Sequence, residues 1–144
     1  GVKLDVGHGS ASLSFAVAKQ AIGMGILPNT ISSDIYCRNR IDGPVYSLAR
    51  VMAKFLALGM TLPQVIDCVT SHAAAAVRLN NKGKLAVGYD ADLTLFTLKH
   101  QPLELVDAEK DVLHADRELV PLAAIRAGKG YMTEQGSALH AFDL

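Results

Sequence analysis

Val2-Lys-Leu-Asp-Val-Gly7, then Ser14-Phe-Ala-Val-Ala-Lys-Gln-Ala-Ile-Gly-Met-Gly25, then Thr30-Ile-Ser-Ser-Asp34 together decide the fold class. The first segment is short and runs into a Gly7-His8-Gly9 turn, which predicts a buried strand. In the second, Phe15, Ala18 and Ile22 share one helical face, with Val17, Ala21 and Met24 beside it. Gly25 is placed to close that helix, and Pro28 stops any continuation. The third predicts another short strand with an acid at its C-terminal end. Strand, helix, strand is a βαβ unit, with parallel strands and a right-handed crossover. In parallel sheets of this kind ligands sit outside the carboxyl ends of the strands, and His8 and Asp34 both fall there.

Beyond Asp34 the sequence predicts a loop, Ile35 to Gly43, rich in groups that bind ligands: Tyr36, Arg38, Asn39 and Arg40. A helix is expected from Pro44 to Gly59, with Leu48, Val51, Met52, Phe55 and Leu56 as its apolar stripe. Thr61-Leu-Pro-Gln64 has the form of a capping box opening one further helix, which Asn80-Asn81 ends. After Gly83 the period becomes alternating. Strands are expected at Lys84–Val87, Asp92–Leu98, Leu103–Asp107, Asp111–Leu113 and Leu119–Arg126, with Ala127–Tyr131 a turn or strand end. The boundary this implies lies near Asn80: residues 1–80 α/β, residues 81–144 β-rich.

Composition narrows the function classes. Lys plus Arg and Asp plus Glu each number 14, so no basic excess exists to neutralise phosphates, and a nucleic-acid partner is not expected. The longest apolar stretch, Leu13 to Leu27, is interrupted by Lys19 and Gln20 and is short for a bilayer span. Cys37 and Cys68 form no CxxC and no disulfide framework, which fits a reducing cytoplasm. The expectation is a soluble cytoplasmic protein whose opening strand wants neighbours on both sides, so that a segment upstream is missing.

Several residues can carry chemistry. A carboxylate at a strand end, as at Asp34, can ligate a divalent metal and shuttle a proton; an Asp there can equally cap the loop that follows. His8 can contact substrate or metal, or it can be a neutral histidine hydrogen-bonded in its turn. Tyr36, Arg38 and Asn39 suit recognition of a carboxylate or amide, and a solvated charged loop reads the same way. His72 sits in an alanine-rich helix, and His100, His114 and His140 show no ligand spacing. No phosphate loop, nucleophile elbow or HExxH occurs.

Three stretches, in this order and spacing, carry a family resemblance. They are Asp5-Val-Gly-His-Gly9, Ile31-Ser-Ser-Asp-Ile-Tyr-Cys-Arg-Asn-Arg40 with Gly43-Pro-Val-Tyr46, and Gly83-Lys-Leu-Ala-Val-Gly-Tyr-Asp-Ala-Asp-Leu-Thr-Leu-Phe96. The chain resembles the C-terminal part of the amidohydrolase superfamily, in the branch that includes dihydroorotase, adenine deaminase and amidohydrolase/deacetylase. The resemblance implies an α/β fold: the last two β/α units of a (β/α)8 TIM-type barrel, plus C-terminal strands of a small β-sandwich domain. On that mapping Val2–Gly7 is strand seven and Thr30–Asp34 strand eight. It further implies that Asp34 is both metal ligand and general base then acid, that His8, Tyr36, Arg38 and Asn39 bind substrate, and that Zn2+ or another divalent metal activates the attacking water. The substrate would be a small molecule with an amide, cyclic amide or ester bond.

The family's HxH pair, bridging lysine and further histidines have no counterpart here. One carboxylate cannot hold a catalytic zinc, which takes at least three protein ligands. The expectation is therefore a fragment of a metal-dependent hydrolase acting on non-peptide C–N bonds, inactive alone and without bound metal. It would form a homo-oligomer or associate with the missing N-terminal part. The alternative is a non-catalytic α/β binding or assembly module.

Overall fold

A computed structural model describes residues 1–137; His140 and the end of the β-rich segment lie outside the described residues. The expected βαβ unit is present as β1 (Asp5–Gly7), α1 (Phe15–Gly23) and β2 (Thr30–Ser32), but Val2–Leu4 lies outside β1 and is exposed rather than buried, and β2 stops two residues before Asp34. The two strands pair in parallel, with Asp5 opposite Thr30 and Gly7 opposite Ser32. Three helices follow as a group: α3 (Leu48–Ala57), α4 (Leu62–Val69) and α5 (Ser71–Ala76), preceded by a short α2 (Cys37–Ile41). A separate antiparallel sheet, β3 (Leu93–Val106), β4 (Val112–Arg126) and β5 (Lys129–Met132), covers α3. The short helix α6 (Glu134–Ser137) ends the described chain. The architecture is mixed α/β. Among the described residues no helix is long and apolar enough to cross a membrane.

Local chemistry explains where the sequence reading and the elements part. Residues 35–43, expected as a loop, hold α2 because the Asn39 carboxamide turns back to accept the Tyr36 N–H at its start (2.9 Å). The next helix begins at Leu48 rather than Pro44. Tyr46 has φ +60°, so the chain turns first, and Ser47 caps the helix by accepting the Arg50 N–H. The single helix expected from Thr61 is two, α4 and α5. Thr70 leaves helical geometry and its hydroxyl bonds the Ile66 carbonyl at 2.6 Å. The capping box at its start is as expected, with Thr61 and Gln64 exchanging bonds.

In the sheet, the short strands expected around residues 92–126 merge into two long ones. Pro102 cannot donate to the ladder, and pairing skips from His100–Arg117 to Leu103–Ala115, an irregularity rather than a break. Lys84–Val87 is not a strand; Leu85 and Val87 are exposed there. Ala127–Tyr131 resolves into a turn and β5, and Asp92 pins that turn by accepting the Ala127 N–H (2.8 Å).

One apolar core crosses position 80. Phe15, Ile31, Val51 and Phe55 from the α/β part pack in the same cluster as Leu103, Leu105 and Leu119 from the sheet. Polar ties reinforce the seam. The buried Asp107, just past β3, accepts the Phe15 N–H that opens α1 (2.7 Å), and Ala108 N–H reaches the Leu13 carbonyl (3.0 Å).

Candidate functional site

The loops leaving β1 and β2 lie side by side and continue the parallel pairing. His8 N–H donates to the Ser32 carbonyl (3.1 Å) and Gly9 N–H to that of Ser33 (3.2 Å). Asp34 follows with φ +47°, a left-handed conformation that Asp tolerates better than most residues. Its carbonyl accepts from the Asn39 carboxamide (3.0 Å). Its side chain is exposed and lines an open cleft of about 700 Å³ with Asp5, Val6, Gly7, Ser12 and Ser32.

Gly9 makes this geometry possible. With φ +52° it presents no side chain, and a Cβ built on it would lie 2.7 Å from Asp34 Oδ2. A side chain at position 9 would therefore displace the carboxylate. Asp5, the other acid of the cleft, already accepts from the hydroxyls of Thr30 (2.5 Å) and Ser32 (3.3 Å). Tyr36 is about half exposed and its phenol pairs with the Ser10 hydroxyl (2.7 Å), bridging the two loops. Arg38 is exposed on α2.

Two expected substrate contacts stand elsewhere. Asn39 is fully buried, with both ends of its carboxamide spent on the backbone of Tyr36 and Asp34. His8 is also fully buried: Nδ1 meets the Gly9 carbonyl at 2.9 Å and Nε2 meets Lys54 Nζ at 2.6 Å. Neither side chain faces the cleft, because each is needed to hold backbone that does. Of the expected site residues Asp34 alone lines the cleft, while Tyr36 is exposed and bonded to Ser10.

Lys54 is the residue the sequence reading passed over. It is wholly buried and donates also to the carbonyls of Pro44 (2.7 Å) and Val106 (2.6 Å). A signal existed: Val51, Lys54 and Leu58 fall at helical spacing, so a cation stands on the apolar stripe of α3. An ammonium has donors only. Nε2 of His8 must therefore accept, which puts the imidazole proton on Nδ1. Burial, with the Arg50 cation adding to it, pushes Lys54 down to about 8. Burial is also the main cause that lowers His8 below its ordinary value.

A second acidic group, Asp107, Glu109 and Asp111, brings carboxylate oxygens within 4.8 Å of one another. The Asp107 oxygens already accept the N–H groups of Phe15, Glu109 and Asp111, which makes this a turn that anchors α1.

Known proteins resemble the chain over most of its length. A deacetylase from Enterococcus faecalis is 40% identical over 131 residues, covering 91% of this chain and 36% of that protein. The crystal structure of an adenine deaminase superposes with a TM-score of 0.91 at 40% identity, covering 92% of this chain and 36% of that one. That of a dihydroorotase gives 0.83 at 38% identity, covering 92% and 35%. The chain thus spans about a third of the length of the curated relatives it matches. The model of the Amidohydrolase family matches residues 14–130, a span that takes in β2, the Asp34 end of the cleft and most of the sheet. With that match over most of its length, the chain belongs to the amidohydrolase family.

Proposed function

We propose that the chain is the Asp34-bearing portion of a metal-dependent hydrolase that cleaves an amide, cyclic amide or ester bond of a small molecule. Residues 1–80 would supply two β/α units of a (β/α)8 barrel and residues 81–144 strands of a β-sandwich beside it. The observation that carries the reading is the Asp34 carboxylate: exposed, at the C-terminal end of a parallel strand, and facing a cleft. The similarity to a deacetylase, an adenine deaminase and a dihydroorotase supports a carbon–nitrogen bond as the target.

A divalent metal such as Zn2+, when bound, supplies the Lewis acidity that acidifies water and polarises the scissile carbonyl. Asp34 fits as one ligand. Asp5 and His8 do not fit, since the first is engaged by Thr30 and Ser32 and the second by Gly9 and Lys54. A catalytic zinc takes three protein ligands, so the others would come from groups beyond those at this cleft. The parallel pair β1–β2, with Val2 and Leu4 exposed beside it, offers a place for them to join.

Asp34 then accepts the proton released as water adds to the carbonyl carbon. It returns that proton to the leaving nitrogen or oxygen as the bond to carbon breaks. Tyr36, exposed and bonded to Ser10, and Arg38, exposed on α2, orient the substrate.

The test is to purify the protein from its native host and assay it with Zn2+ or Mn2+ against N-acetylated amines, cyclic amides and aryl esters. Metal-dependent turnover that falls at least about 100-fold in Asp34→Asn is expected. Turnover insensitive to that substitution, or a metal-loaded protein inert to the whole series, would refute the reading.

A further inference from the structure

We propose that Lys54 is the positioning residue of this site: its buried ammonium group clamps the loop after β1 and the turn after α2, which set the backbone of Asp34 and so the place of its carboxylate. The inference rests on Asp34 being the proton-transfer group.

Three acceptors converge on Lys54 Nζ, and each belongs to a different part of the chain. His8 Nε2, at 2.6 Å, leads to the loop after β1. Nδ1–H of His8 then donates to the Gly9 carbonyl (2.9 Å), and Gly9 is the residue that leaves space for the carboxylate. The Pro44 carbonyl, at 2.7 Å, leads to the turn after α2. That turn is tied to Asn39 by the Tyr46 N–H (3.1 Å), and Asn39 in turn holds the Asp34 carbonyl. The Val106 carbonyl, at 2.6 Å, anchors the clamp to the sheet.

Asp34 needs such a clamp. A non-glycine residue at φ +47° relaxes toward extended or helical backbone unless its surroundings hold it. Here the bare Gly9 backbone leaves the space that the carboxylate occupies, Asn39 holds the carbonyl, and both segments trace back to one nitrogen. An ammonium offers three donors for three acceptors, so none is left over. Methionine offers none. Arginine spreads its donors over a planar fork and cannot aim three at acceptors gathered round one atom.

The test uses the purified protein with selectively 15N-labelled histidine. In the wild type His8 should show one protonated and one unprotonated ring nitrogen, with the proton on Nδ1. Lys54→Met should change that pattern and shift the backbone resonances of Gly9 and Asp34. For the substrate identified with Asp34→Asn, it should lower kcat about 10- to 100-fold with KM unchanged. Lys54→Arg, which keeps the charge, should fail to restore kcat. A proton on Nε2 in the wild type overturns the inference even if neither variant folds. So does a folded Lys54→Met protein with unaltered Asp34 resonances and kcat. Should Asp34→Asn itself leave turnover intact, the hydrolase reading is what fails, and the His8 tautomer still reports on the clamp.

Discussion

Replacing Gly9 by alanine separates the strain of a left-handed residue from the displacement of the Asp34 carboxylate. Gly9 has φ +52°, where an L-residue costs about 1 kcal/mol. Its added Cβ would sit 2.7 Å from Asp34 Oδ2. Carbon and oxygen rest at roughly 3.3 Å or more, so the carboxylate has to retreat by about 0.6 Å or swing out of the cleft. A misplacement of about 1 Å in a reacting group costs about 100-fold in rate, so a loss of about 10- to 100-fold in kcat is expected. Gly25 provides the control, since it has φ +77° and a Cβ there meets nothing within 4 Å. Gly25→Ala should therefore lose about 1 kcal/mol of stability in urea melts and none of its turnover. Gly9→Ala should lose stability of the same order or slightly more, together with the rate. If the two variants match in both stability and kcat, the space that Gly9 leaves for the carboxylate has no functional weight.

Further outcomes follow from the same contacts. Lys54 is held at about 8 against an ordinary 10.5. Between those values the unfolded chain binds more protons than the folded one, so this group's contribution makes stability rise with pH through that window, by about 3 kcal/mol at most. Arg50, Asp107 and His8 are the ionisable groups that act on Lys54 or touch it. Denaturant midpoints at pH 7.5 and 10.5 should differ more in the wild type than in Lys54→Met, and equal slopes would contradict the assignment. Asp107→Ala strips the acceptor from the N–H groups of Phe15, Glu109 and Asp111. It should cost about 3 kcal/mol in equilibrium unfolding, with amide exchange at Phe15 rising first. Leu105→Ala empties a fully buried position of the shared core. A loss of about 2–5 kcal/mol in a single cooperative transition is expected, whereas separate transitions for the helical part and the sheet would contradict a core shared across position 80.

Elements whose reasons are local were legible in the chain's residues alone. The βαβ unit follows from a short strand, an apolar helical face and a second strand ending in an acid. The Thr61–Gln64 cap follows from two side chains three residues apart, and the alternating pattern from Asp92 onward marks the sheet. The sequence also placed Asp34 at the end of a parallel strand, and its motifs carried the family. The remainder depends on residues far apart in the chain and emerges on folding. Lys54 reads as an ordinary helical lysine until its nitrogen meets positions 8, 44 and 106. His8 and Asn39 read as ligand-binding groups until burial shows their polar atoms occupied by backbone and by that lysine. A hydrogen bond between distant residues leaves no periodicity for a sequence to display, because its partners are chosen by packing and not by spacing.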